Sequence, residues 1–597
     1  MRKTMVALAL IGAASAVPGL VFAQPAPPMA GVPTADAAVD QLVEEYWASV
    51  LRNSPVYASS LGIRTYDGQV ADYSLAATSE QAAASAALLK RLDAIDVATL
   101  TAAGRVNHGI LKRTLAETVE AERFGQRAIN FTNRSGWHQD FAGMADNLPF
   151  KTKGDFESYN ARLQQFPRVN DQATAVANAA ITGGYTLPCD SLAGYEGGIT
   201  GLLAEDVKQS RFYSPYATKR PDGVTTADFD ALAGQAATTI GQTIYPALRQ
   251  QADWYAKRYQ PKCAAKPGIS AQPGGAAYYD FRIRQMTTTT LSADQIHRIG
   301  LGEVARIRAE MEKVASGAGF PTREAFIDHL RTDPQYYAKT SEELMEKVAR
   351  VTKTIDGKMP SLFHKLARLP YGIREIPAEI AEGTTTAYYG PGSPDIGIAG
   401  TYYVNTSKLD QRPLWEIPAL SVHEAVPGHH QQIALQQELP LSEFRKHGAF
   451  FTAFVEGWGL YSERLGIEMG LYDTPAKDMG RLSYEMWRAC RLVVDTGIHS
   501  KGWSKAQAIA FMTDNTALSA SNIEAEVNRY IANPAQALAY KLGELKIREL
   551  RALAEKELGA GFDLAAFHDV VLGQGAVPLD VLDAQVKDWV AATRAGR

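Results

Sequence analysis

His423, Glu424, His429 and His430 fall within the eight residues His-Glu-Ala-Val-Pro-Gly-His-His. Helical zinc hydrolases pair a histidine with an adjacent glutamate and place a second histidine four residues after the first. That spacing sets two ligands and a general base on one face. Here the fourth residue after His423 is Pro427. In a straight helix His429 would sit about 120° around from His423, and His430 about 10 Å further along the axis. Neither would share one ion with His423. Pro427, however, has no N–H for the His423 carbonyl, and Gly428 relaxes the backbone. A bulge or break there lets a later histidine take the ligand position, with His429 the first choice and His430 the alternative.

A catalytic zinc site needs a third protein ligand, an open position for water and a carboxylate to take the water proton. Glu424 suits the base. Glu456 suits the ligand, because it stands in the apolar, aromatic run Ala453-Phe454-Val455-Glu456-Gly457-Trp458, where an unpaired charge is costly. The structural alternative for Glu456 is an ion pair with Arg464 or Arg488. Glu463, seven residues on, faces the same way and is positioned to support the ligands. Negative charge developing on a substrate carbonyl calls for a Tyr, His or Arg donor. His499 and Tyr540 are the first choices, with Arg491 and Tyr530 behind them.

The elements that must position these groups are mostly helical. Apolar residues recur at spacings of three and four over Val39–Leu51, through Ser79–Glu122 with a break near Asp96, and over Lys153–Ile181 and Phe229–Tyr259. Ser292 with Gln295 and Thr340 with Glu343 mark two helix starts. The helical period lapses between Tyr371 and Thr406. There the runs Thr384–Tyr389 and Thr401–Thr406 are β-prone and flank a Gly/Pro-rich turn. Residues Tyr402 to Thr406 are candidates to offer a strand edge to an extended peptide. Pro261–Gly275 is the best candidate linker. The expected organisation is a signal peptide over 1–23, an N-terminal helical lobe over 24–265 and a C-terminal helical lobe over 266–597 that carries the site.

Four segments carry a family resemblance beside the His-Glu motif. They are Gly-Thr-Tyr-Tyr-Val-Asn-Thr (400–406), Phe-Val-Glu-Gly-Trp-Gly-Leu-Tyr-Ser-Glu (454–463), Arg-Leu-Val-Val-Asp-Thr-Gly-Ile-His (491–499) and Asn-Pro-Ala-Gln-Ala-Leu-Ala-Tyr-Lys (533–541). Together they resemble the bacterial domain of unknown function 885. That family is placed among zincin-like metallopeptidases and is distantly similar to thimet-type oligopeptidases. The resemblance implies a mainly α, zincin-like fold with an active-site channel, and it implies Glu456 as the glutamate ligand.

Arg2 and Lys3, the apolar stretch Met5–Leu20 and the small residues before Gln24 read as a cleavable secretory signal, so a periplasmic or secreted protein is expected. No cysteine lies near Ala23, which argues against a lipid anchor. No later stretch is long and apolar enough for stable membrane insertion. With Arg2 and Lys3 removed, 59 Lys and Arg face 65 Asp and Glu without a basic cluster, which excludes nucleic acid as an expected partner. Of the three cysteines, Cys189 and Cys263 are the plausible pair and Cys490 a buried thiol. The expected activity is zinc-dependent hydrolysis of oligopeptides, with zinc on His423, His429 and Glu456. The alternatives are an amidase acting on non-standard or cell-wall peptides, and an inactive periplasmic binding protein.

Overall fold

The computed structural model describes residues 34–596 apart from 128–130, 133–134, 378–380, 382–383 and 395–396. The expected signal segment and the Pro/Ala-rich stretch after it lie outside the described residues. The chain is mainly helical with a small sheet of three strands. Helices over Ala35–Asn53, Leu75–Leu92 and Ala102–Glu122 follow the periodic runs. Ser292 and Gln295 close a full capping box. Thr340 makes only half of one, because the Glu343 carboxylate accepts from the Lys339 N–H instead.

The apolar faces gather into several cores. One unites Val39 and Leu111 from the first helices with Val422, Phe454, Trp458 and Ile547 around the His-Glu motif. A second joins Met311 and Val348 to Tyr402, Leu420, Val493 and Tyr530. Residues 131–259 close around an aromatic core of their own, including Phe131, Tyr195 and Tyr259. The Pro261–Gly275 stretch is packed in place: the Ile269 N–H donates to His499 Nδ1 and the Gln272 amide to the Thr186 carbonyl. Cys189 and Cys263 form a disulfide, with their Cα atoms 5.1 Å apart, and Cys490 is a buried free thiol.

The sheet runs β1 (Tyr371–Glu375), β3 (Gly400–Val404), β2 (Ala387–Gly390) in space. β2 and β3 are antiparallel, with Tyr388 opposite Tyr403 and their rings stacked. β1 pairs with β3 in parallel, Ile373 opposite Tyr402. β3 is therefore the central strand. Both of its edges are used from Thr401 to Val404, so Tyr402–Val404 do not offer a free strand edge to a peptide as the sequence suggested.

Around the motif stand four helices. The motif helix (Ile417–Glu424) lies against the glutamate helix (Thr452–Leu465). The glutamate helix in turn meets the tyrosine helix (Ala539–Leu558) backbone to backbone. A Cβ on Gly457 would come 2.5 Å from Gly543 Cα, and one on Gly543 would strike the Ala453 carbonyl, so neither position admits a side chain. The central helix (Pro475–Lys501) is buried on nearly every face. Along it Arg481, Glu485, Arg488, Arg491, Asp495 and His499 form a polar stripe at helical spacing, and burial on that scale requires partners for each.

Candidate metal centre

The motif helix ends at Glu424. The backbone leaves helical conformation at Ala425, passes through a cis Val426–Pro427 bond, and starts a new helix at His429. The Pro427 carbonyl accepts from Trp458 Nε1 at 2.8 Å, which ties the break to the glutamate helix. Gly428 is required on space alone, since a Cβ there would run into the carbonyls of Val422 and His423.

The break brings His429 back beside His423, with ring centroids 4.7 Å apart and planes near perpendicular. Glu456 Oε2 lies 3.6 Å from His423 Nε2 and 3.4 Å from His429 Nε2. The ligand atoms of all three residues fall within 4.8 Å of one another, the one such cluster among the described residues. Ligands held about 2.0–2.2 Å from a tetrahedral ion stand roughly 3.3–3.6 Å apart, so the two measured edges suit a zinc-sized cation. The donor set fits as well. Glu456 Oε2, the oxygen that both imidazoles face, is buried without a hydrogen-bond partner. Gly459 makes room for the first ligand, because a Cβ there would come 2.8 Å from the His423 imidazole.

His423 Nδ1 faces Glu463 Oε1 at 2.8 Å, and the same oxygen accepts from Arg488 Nη2 at 3.0 Å. The carboxylate thus fixes the His423 tautomer and turns Nε2 toward Glu456. Arg488, weighed from sequence as a partner for Glu456, serves Glu463 instead. Burial works against charge on His423, yet Glu456, Glu463 and Glu424 together raise its pKa to about 9. Burial also opposes charge on Glu456, but the two imidazoles hold its carboxyl well below the ordinary range.

Glu424 is 8% exposed and accepts no hydrogen bond from the described residues. It keeps an oxygen in contact with solvent beside His423. Tyr402, also buried, lies close enough for the Glu424 charge to act on its phenol.

His430 is directed elsewhere. Its Nε2 donates to the Leu369 carbonyl at 2.8 Å, its Nδ1 meets the Tyr389 hydroxyl at 3.0 Å, and its ring packs on Tyr371. His499 corrects the sequence expectation. Its Nε2 donates to the Tyr530 carbonyl at 2.9 Å and its Nδ1 accepts from the Ile269 N–H, so no ring nitrogen remains for a substrate. Full burial lowers its pKa to about 4 and keeps it neutral. Tyr530 is likewise closed off, with its hydroxyl shared among Glu526, Trp487 and Arg491.

Tyr540 is different. Its hydroxyl accepts from Gln536 Nε2 at 3.4 Å and has no acceptor for its own proton among the described residues. Burial and the nearby Glu456 carboxylate raise its pKa, opposed by Arg529 and Arg491. The Arg491 guanidinium lies 4.1 Å over the Tyr540 ring.

Residues 55–586 match the family described as "Bacterial protein of unknown function (DUF885)". Two solved structures share the fold, and each is described as a "putative lipoprotein". The Colwellia psychrerythraea protein has a TM-score of 0.87 at 29% identity, over 93% of this chain and 100% of its own. The Shewanella oneidensis protein, described as of unknown function, has a TM-score of 0.69 at 20% identity, over 92% of this chain and 99% of its own. No curated protein matches. The chain belongs to the bacterial family DUF885.

Proposed function

We propose that this protein is an exported, zinc-dependent peptidase. The observation that carries the reading is the convergence of His423 Nε2, His429 Nε2 and Glu456 Oε2, with Glu424 next to His423 and accepting no hydrogen bond from the described residues. His423, His429 and Glu456 would hold the ion. When bound, zinc supplies Lewis acidity, making water a better nucleophile near neutral pH and polarising the scissile carbonyl. Glu424 accepts the water proton as the oxygen–carbon bond forms, then delivers it to the departing amine as the carbon–nitrogen bond breaks. Tyr540 donates its free hydroxyl proton as a hydrogen bond to the carbonyl oxygen, where negative charge develops. Glu463 keeps His423 oriented through the cycle.

The groups lie deep among helices, yet the side chains of His429 and Glu456 remain 11% and 16% exposed. That combination supports an active-site channel, and the motif resemblance favours a zincin-like relationship and oligopeptide substrates. The N-terminal leader and the lipoprotein descriptions of the two structural neighbours support export. No described helix is long and apolar enough to cross a membrane. The test is hydrolysis of a mixed oligopeptide library by the purified protein before and after chelation. Cleavage abolished by chelation and restored by stoichiometric zinc is expected; cleavage that survives complete metal removal contradicts the reading.

A further inference from the structure

Two arginines, Arg491 and Arg529, stand near Tyr540. Arg491 Nη2 and Arg529 Nη2 both lie 2.8 Å from the same oxygen, Glu526 Oε2, so two guanidiniums share one carboxylate. Burial would raise the Glu526 carboxyl, but the two cations hold it far below its usual range. Lys541, the residue after Tyr540, sits in a denser network, whose acids it shares with Arg306, Arg481 and Arg548. Three carboxylates, Glu303, Glu485 and Glu544, stand within 3.0 Å of its Nζ.

The donors of the arginine pair are not used up. Arg491 spends Nε on the Tyr530 hydroxyl and Nη2 on Glu526, while its Nη1 is buried with no partner. Arg529 spends Nε and Nη2 on Glu526 and one Nη1 proton on the Gln536 amide oxygen. Its side chain is 31% exposed.

The pair is joined to the candidate metal centre on two sides. Tyr540 stands between, with Arg491 over its ring, Gln536 on its hydroxyl and the Glu456 charge acting on it. On the other side the Trp487 ring lies 4.5 Å from both Arg491 and Arg488, and Arg488 holds Glu463.

We propose that Arg491 and Arg529, sharing Glu526 beside Tyr540, anchor a carboxylate of the substrate. This rests on the hydrolase reading and specifies its substrate class: peptides with a free C-terminal carboxylate, cut near that end. A guanidinium fork matches a carboxylate in shape and charge. A neutral amide in its place leaves the fork's donors poorly matched, a loss of about 10- to 100-fold.

The experiment compares one peptide sequence as free acid, as C-terminal amide, and as an amide ending in glutamate, using the zinc-loaded full chain. The free acid is expected to show kcat/KM about 10- to 100-fold above the plain amide. Arg529→Met should collapse that ratio toward one with zinc content retained. Because Arg529 is partly exposed, its replacement threatens folding less than replacement of Arg491. The glutamate amide should not recover the acid-like rate, since the anchored group is the C-terminal carboxylate; full recovery would overturn that assignment. Equal cleavage of acid and plain amide by the unaltered protein overturns the proposal, as does an undiminished ratio in Arg529→Met. A second readout separates this from the hydrolase reading: calorimetric binding of the same peptides to Glu424→Gln. Should no peptide be cleaved, the hydrolase reading fails. Tighter binding of the acid than the plain amide would then still support the anchor, and equal binding would overturn it.

Discussion

Glu463 Oε1 stands 2.8 Å from His423 Nδ1 and 3.0 Å from Arg488 Nη2, so one buried carboxylate joins a candidate ligand on the motif helix to a cation on the central helix. Three separate segments are thereby fixed relative to one another at the centre of the site. The bond also decides which imidazole nitrogen of His423 is free.

Glu463→Gln is the conservative way to test that tie. The amide keeps the shape but accepts the His423 N–H and the Arg488 charge less strongly. Zinc affinity should fall about 10- to 100-fold, measured by competition with a chromophoric chelator. Glu463→Ala should instead be destabilising by about 3–5 kcal/mol, because Arg488 is left buried and unpaired. An unchanged affinity in the glutamine variant would remove Glu463 from the account.

The adjacent histidines should separate cleanly. His429→Ala removes a candidate ligand that faces Glu456 and packs on the His423 ring, so zinc should be lost while the protein stays folded. His430→Ala removes hydrogen bonds to Leu369 and Tyr389. It should retain zinc and lose about 1–3 kcal/mol of stability. Metal content and thermal unfolding of the two variants, read together, check the assignment. Zinc loss in His430→Ala with retention in His429→Ala would reverse it.

The disulfide closes a separation of 74 residues. Replacing Cys189 and Cys263 by serine should cost about 4 kcal/mol on the chain-entropy estimate. The loss should appear in denaturant unfolding of the segment that carries the aromatic core of residues 131–259, with zinc content unchanged. Unaltered unfolding would show that packing alone holds that segment.

The helical architecture was legible because amphipathic periodicity is a local signal. The hairpin of β2 and β3 was legible for the same reason. β1 was not, since Tyr371–Glu375 is a half-exposed run of only five residues, and it pairs in parallel with a strand 29 residues away. The segment from His423 to His429 told of a break through Pro427 and Gly428. It did not tell where the chain re-enters a helix, which depends on Trp458 gripping the Pro427 carbonyl. Glu463 was read as a supporting group because it follows Glu456 by two helical turns. Its partner Arg488 was weighed against Glu456, since sequence spacing does not choose between two acids on one face. His499 illustrates the opposite failure. A histidine in a buried polar stripe looks the same in sequence whether it faces a substrate or two backbone groups. Arg529 and Glu526 passed unnoticed because i, i+3 charge pairs are common on exposed helices, and only the fold shows this one sharing its carboxylate with Arg491.

The central claim is tested most directly by metal analysis of the unaltered protein beside Glu456→Ala and Glu424→Gln, with peptide hydrolysis assayed on the same samples. One zinc per chain is expected in the unaltered protein and in Glu424→Gln, with hydrolysis in the latter reduced at least about 100-fold. Glu456→Ala should hold no stoichiometric zinc. Full zinc occupancy in Glu456→Ala, or full activity in Glu424→Gln, would contradict the account.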